Sequence, residues 1–251
     1  MTQMKNKVAL VTGGARDIGG AISLALAEAG CNVVVNYQNS QAQAEATVES
    51  IRKLGRKAVA VKADITKATE VDALIQRTMQ ALGKEIHVLV NCAGGLVARK
   101  RVEEMDEAFY DAVMDINLRS TFLVTQAVLP HMPEGGAVVN VASQAARDGG
   151  GAGAILYATA KGAVVTFTRG LAKELGPRRI RVNAVAPGMI NTLFHEKFTK
   201  PEVRQKVAGA TPLGREGQSM EVARLVTFLA SDEASFVNGA CVDVNGGAYL
   251  G

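Results

Sequence analysis

Short apolar runs rich in β-branched residues recur along the 251-residue chain, each closed by glycine or polar residues and followed by a stretch with helical spacing. That alternation limits the fold more than any other feature. A short run apolar on both faces reads as a buried parallel strand, and parallel neighbours need a long crossover that a helix supplies. Val8 to Thr12, Cys31 to Val35, Ala58 to Val61, Ile86 to Val90, Ala137 to Val141, Ile180 to Ala186 and Ala240 to Val244 are the seven predicted strands. Helical spacing predicts helices over Ile18 to Ala29, from a Ser40/Gln43 capping box to Leu54, and from Val71 to Leu82. It also predicts one long helix over Asp106 to Leu129, closed by Pro130, then Tyr157 to Leu175 and about Met220 to Leu229. Asn191 to Thr211 reads as a polar stretch.

No Pro- or Ser-rich linker and no internal repeat interrupts the pattern. Residues 1–251 are therefore expected to form a single α/β domain, Rossmann-like and doubly wound, with a seven-stranded parallel sheet and helices on both faces. Ligands of such sheets sit beyond the carboxyl ends of the strands, so the turns there are the expected binding site. Hydrophobic residues at 48% and charged residues at 21% exclude a disordered chain. A net charge of +4, scattered rather than gathered, argues against a nucleic-acid partner. Cys31, Cys92 and Cys241 are odd in number, lack CxxC spacing and suit a reducing cytoplasm. No apolar run approaches the ~18 residues of a membrane span, and MTQMKNK leads into VALVTGG without a signal-peptide core, so a cytoplasmic protein is expected.

The first strand enters its helix through TGGARDIGG, whose glycines allow positive φ and a close backbone approach while free N–H groups attract a pyrophosphate. Asp17 inside this turn brings a carboxylate close to where phosphates would lie, and the expected resolution is that it caps its own helix. An acid that would hold a ribose diol is missing: none occurs between Glu28 and Glu45, and the second strand runs out through Asn36, Tyr37, Gln38, Asn39 and Ser40. Arg16 could pair with a 2′-phosphate, so NADP(H) is favoured over NAD(H). Tyr157 and Lys161 are four apart near a helix start and project from one face. Ser143 ends the fifth strand, and Asn117 lies in the preceding long helix.

Thr12, Gly13 and Gly19 resemble the TGxxxGxG turn of the short-chain dehydrogenase/reductase family, with Asp17 in place of its middle glycine. Asn117, Ser143, Tyr157 and Lys161 match that family's catalytic tetrad. The resemblance covers almost the whole chain and is strongest to 3-oxoacyl-carrier-protein reductases and bacterial sugar dehydrogenases. It implies cofactor contacts from Gly13, Arg16, Asp17, Ile18, Gly19, Asn36, Asp64 and Ile65. It extends them to Asn91, Ala93 and Gly94 in NCAG, a variant of the NNAG turn, and to Pro187, Gly188, Ile190 and Thr192 around the nicotinamide carboxamide. Tyr157 and Lys161 also contact the cofactor in that scheme, Tyr157 as general acid for reduction and Ser143 as donor to the carbonyl oxygen. Lys161 would bring the tyrosine pKa from ~10 toward ~7, which needs about 4 kcal/mol, close to what one ammonium at ~4 Å supplies at a dielectric of 20. Asn117 would anchor a water that resupplies protons. A homotetramer and a mobile substrate lid at about 189–212 are further implications.

The implied function is NADPH-dependent reduction of a ketone or aldehyde. Arg99, Lys100, Arg101, Arg119 and Arg147 near the expected pocket point to a small anionic substrate, either a 3-oxoacyl thioester or a keto sugar acid, with His195 as a further candidate contact. The alternatives are an NAD-dependent sugar or polyol dehydrogenase and a non-catalytic dinucleotide-binding protein. Ser143 lies in NVASQ rather than GxSxG, and His87, His131 and His195 are not placed to serve it, which argues against a serine hydrolase. No clustered His, Cys or acidic residues support a catalytic metal.

Overall fold

The computed structural model describes residues 4–251. Its strands are β1 (Val8–Thr12), β2 (Asn32–Tyr37), β3 (Ala58–Lys62), β4 (Val88–Asn91), β5 (Ala137–Val141), β6 (Arg181–Pro187) and β7 (Cys241–Val244). They form one sheet in the order β3-β2-β1-β4-β5-β6-β7, every pair parallel. This is a Rossmann-like, doubly wound sheet. Its strand order reverses between β1 and β4, so their carboxyl ends open a crevice. All five residues of β1 and all five of β5 are buried, which is why these strands read as continuous apolar runs rather than alternating ones.

Helices α1 (Asp17–Glu28), α2 (Gln41–Lys53) and α10 (Ser219–Ala230) cover one face, where Ile22, Leu26, Ile51, Val226 and Leu229 pack against Val11, Val33 and Val139. On the other face α3 (Ala68–Leu82), α5 (Ser120–Val128) and α7 (Ile155–Leu175) bury Leu74, Ile75, Val124, Val128 and Leu171 against Leu10, Leu89 and Val138. Each such buried aliphatic side chain contributes ~1.5–3 kcal/mol over its exposed state.

Three local expectations need correction. The helix expected over Asp106 to Leu129 is α4 (Glu107–Met114), a π turn (Asp115–Arg119) and α5, so Asn117 sits in the irregular part. Ser40 precedes α2 but makes no side-chain cap bond; its Oγ instead accepts from Arg16 Nε at 3.3 Å. The polar stretch after β6 contains two helices, α8 (Leu193–Phe198) and α9 (Pro201–Ala210). Leu193 and Lys197, Phe194 and Phe198 carried that helical spacing, and Pro201 opens α9 in its favoured first position. A further short helix, α6 (Ala145–Asp148), follows β5.

Candidate active site

Thr12 ends β1 and fixes the neighbouring turn: its Oγ1 accepts from the N–H of Cys92 at 3.0 Å and of Ala93 at 3.1 Å. Gly13 has φ +61, and a Cβ there would lie 3.0 Å from the Ala93 Cα, so the turns after β1 and β4 meet through a glycine. At Gly94 a Cβ would stand 2.7 Å from Asn117 Oδ1 and 2.9 Å from Lys161 Nζ. Side chains at these points would fill the cradle.

Asn117 is fully buried beneath that turn. Its Nδ2 donates to Gly95 O and Val113 O, each at 2.8 Å, and its Oδ1 accepts from Gly95 N–H at 3.0 Å. The bond to Val113 competes with the backbone ladder one turn earlier, a local cause for the π turn. Asn117 thus clamps the NCAG turn, with both its amide atoms engaged.

Ser143, Tyr157 and Lys161 line one wall of a crevice of about 750 Å³ across the carboxyl ends of the strands. That size suits a dinucleotide with a small second ligand. Ser143 Oγ accepts from Ala145 N–H at 3.1 Å. Lys161, 4% exposed, donates to Val141 O at 2.8 Å, with Nζ 5.9 Å from the centre of the Tyr157 ring. Burial pushes the Lys161 ammonium down to about 8. Burial likewise pushes the Tyr157 phenol above its ordinary value, opposed by the neighbouring Ser143 hydroxyl. The Lys161 ammonium is directed to a backbone carbonyl.

Gly13, Arg16, Asp17, Ile18, Gly19, Ala93 and Gly94 line the crevice, and Pro187, Gly188, Ile190 and Thr192 line its other end. Gln144 Oε1 in the same wall is buried without a partner among the described residues. Asn36, Asp64, Ile65 and Asn91 are not brought there. Asn36 Oδ1 accepts from Gly13 N–H at 3.4 Å and its Nδ2 donates to Ala63 O at 3.2 Å, tying β1, β2 and β3 together. Asn91 Nδ2 donates to Thr125 Oγ1 at 3.0 Å and Asn140 Oδ1 at 2.9 Å, and Asn140 continues to Thr168 Oγ1 at 2.9 Å. Asp64 accepts from the Thr66 hydroxyl at 2.7 Å and pairs with Lys67, while Ile65 packs in the core.

Asp17 does not cap α1. Arg16 precedes that helix, and no side chain caps its first turn. With φ +52, Asp17 holds its carboxylate 2.7 Å from Arg16 Nη1 and 3.2 Å from Leu193 N, whose N–H it accepts. Arg119 and Arg147 also depart from expectation. Arg119 pairs with Asp115 at 2.6 Å on the surface; Arg147 turns to Asp243 at 3.4 Å and donates to Cys241 O at 2.9 Å. Lys100 pairs with Asp106 and Arg101 with Glu103. Arg99 does reach the crevice, where its guanidinium donates to Phe198 O at 3.0 Å and Ala152 O at 2.7 Å. His195 lines it too, and burial with the Arg204 charge lowers its pKa.

The sequence reading missed Leu96, Val97 and Met189 in the apolar half of the crevice, where they join Leu193 and Phe194 of the stretch expected as the substrate lid. The Phe194 ring lies 5.9 Å from Tyr157 and 5.2 Å from Phe198, tilted in both contacts. The four-residue spacing of Phe194 and Phe198 was the available signal.

A family model described as Enoyl-(Acyl carrier protein) reductase matches residues 13–249. An uncharacterised oxidoreductase of Methylorubrum extorquens is 39% identical over 249 residues, covering 98% of this chain and 99% of that protein. A short-chain dehydrogenase from Burkholderia cenocepacia in complex with NADP superposes with a TM-score of 0.92 at 34% identity, over 98% of this chain and 99% of that one. An NADH-dependent reductase responsible for alginate metabolism gives a TM-score of 0.89 at 34% identity, over 99% of both chains. With the glycine cradle and the Ser143, Tyr157 and Lys161 wall in one crevice, the chain belongs to the short-chain dehydrogenase/reductase family and is an NAD(P)-dependent oxidoreductase.

Proposed function

We propose that the protein interconverts a ketone and its secondary alcohol with NADP(H), and that Tyr157 moves the proton. The observation that carries this reading is the shared wall: phenol, Ser143 hydroxyl and buried Lys161 ammonium face one crevice. The nicotinamide dinucleotide supplies the hydride when bound. Gly13, Ile18 and Gly19 would hold its pyrophosphate. Pro187, Gly188, Ile190 and Thr192 would hold the carboxamide, for which the unpartnered Gln144 Oε1 is a ready acceptor. At neutral pH the phenol is protonated and can give its proton to an oxyanion, and Ser143 donates a hydrogen bond to the same oxygen. In oxidation Tyr157 takes that proton back, and a charged Lys161 steadies the phenolate. Asn117 positions the NCAG turn against Lys161.

NADP(H) is favoured because Arg16 bonds to Ser40, just past β2, and no acid lies between Glu28 and Glu45 to hold a ribose diol. The relatives themselves include both cofactors. For the substrate, the loss of Arg119 and Arg147 from the crevice weakens the case for an anion, whereas Phe194, Phe198, Leu96 and Met189 favour a flat, apolar ketone. The segment 189–212 acts in this reading as the lid of a single domain. Exposed Tyr110 on α4 and Phe122 on α5 offer apolar surface for the homotetramer, and three free thiols suit the cytoplasm.

Steady-state kcat/KM for NADPH and NADH, across aryl ketones, acetoacetyl thioesters and keto sugar acids, tests the reading. Preference for NADPH and an aryl ketone is expected. Preference for NADH overturns the cofactor assignment, preference for a thioester or a sugar acid overturns the substrate, and cofactor binding without any turnover overturns the catalytic role.

A further inference from the structure

Asp17 joins parts of the molecule that are far apart in sequence. One carboxylate oxygen pairs with Arg16 Nη1 at 2.7 Å, and Arg16 Nε donates to Ser40 Oγ at 3.3 Å. The other accepts the backbone N–H of Leu193 at 3.2 Å, 176 residues along the chain. Its φ of +52 lies in the left-handed region, which Asp tolerates better than most side chains.

Leu193 is the first residue of α8, and the next residue, Phe194, lays its ring 5.9 Å from Tyr157. At the other end of α8, Phe198 O accepts from Arg99 Nε at 3.0 Å. We propose that Asp17 is a positioning residue that fastens the start of α8 to the cofactor turn and thereby sets Phe194 against Tyr157. Arg99 holds the far end. A glycine at 17 keeps the backbone conformation and removes both bonds. The inference rests on the functional reading only in its kinetic consequence, since the bond itself is independent of turnover.

Amide hydrogen exchange on the cofactor-free protein reads the bond directly. In Asp17→Gly, exchange at residues 193–198 is expected to rise about tenfold, the effect of losing one charge-assisted hydrogen bond. The melting temperature should hold or rise, because glycine relieves the left-handed backbone. Asp17→Asn keeps an acceptor oxygen and should restore protection to within about threefold of wild type. In turnover with NADPH, Asp17→Gly should raise the substrate KM about fivefold while kcat changes about twofold, as for a misplaced binding wall. Unchanged exchange at 193–198 in Asp17→Gly overturns the proposal. So does faster exchange spread equally over β1 and β4, or failure of Asp17→Asn to restore protection. If neither protein binds NADPH, the functional reading falls while the exchange result still decides the bond.

Discussion

The two sides of the crevice are built differently. On the sheet side, Thr12, Asn91, Asn117, Asn140 and Lys161 are each at most 4% exposed and bound to neighbouring strands or turns. On the other side, α8 and α9 bury no residue fully and are held by contacts at their edges: Asp17 to Leu193, Arg99 to Phe198, and Arg204 to Glu216 at 2.7 Å. Proton transfer needs fixed distances, and buried, hydrogen-bonded polar groups supply them. A wall that admits and releases substrate must come from the less stable part of a fold. In the proposed reading the chemistry thus sits on the rigid side and the substrate wall on the adaptable one.

The largest effect is expected from Tyr157→Phe, which keeps the ring beside Phe194 and removes the proton. A fall in kcat of about a thousandfold is expected, with the cofactor dissociation constant changed less than about twofold. Turnover within a few-fold of wild type would remove Tyr157 from the chemistry.

Lys161 gives a pH-dependent version. Its folded pKa of about 8 lies below the ordinary 10.5, so the charged form is favoured in the unfolded chain. The resulting destabilisation is full below pH 8 and fades as pH rises toward 10.5. The difference corresponds to about 3 kcal/mol. Lys161→Met should therefore be more stable to urea at pH 7, with its advantage shrinking by pH 10.5, and be inactive. Equal stability at pH 7 would show that the lysine carries no such burden.

Thr12→Val should cost about 2 kcal/mol, because it leaves the Cys92 and Ala93 N–H groups without their acceptor. Chemical denaturation measures it, and the loss should be global, since both turns anchor central strands.

The smallest effect is expected at the edge of the other wall. Arg204→Ala breaks a partly exposed pair that holds Glu216 below its usual carboxylate range. Global stability should fall by less than about 1 kcal/mol while exchange at residues 201–210 quickens. The Glu216 contribution is present above the ordinary carboxylate pKa and is lost as pH falls through the depressed value, so the two proteins should converge in acid. A global loss as large as that of Thr12→Val would erase the contrast between the two sides.

Much of the sheet side was legible in the sequence, because strand, turn and helix are local patterns: Val8 to Thr12 is apolar throughout, Gly13 and Gly19 punctuate, and Tyr157 and Lys161 share a helix face by spacing alone. The other side was not. Phe194 and Phe198 were hidden among charged residues, and the direction of a long side chain is set by whichever partner the fold brings near. Arg147 finds Asp243 96 positions away, and Asp17 finds Leu193. Neither meeting leaves a trace in local periodicity.

The order of apolar runs and glycine turns alone determined a doubly wound parallel sheet with a dinucleotide crevice at its carboxyl edge, since those features follow from backbone sterics and burial over a few residues. Tertiary structure alone decided which charges face the crevice, that Asp17 reaches the opposite wall, and that burial raises the Tyr157 phenol above its ordinary value. Electrostatics and hydrogen bonding depend on distance in space, and that distance exists only once the chain has folded.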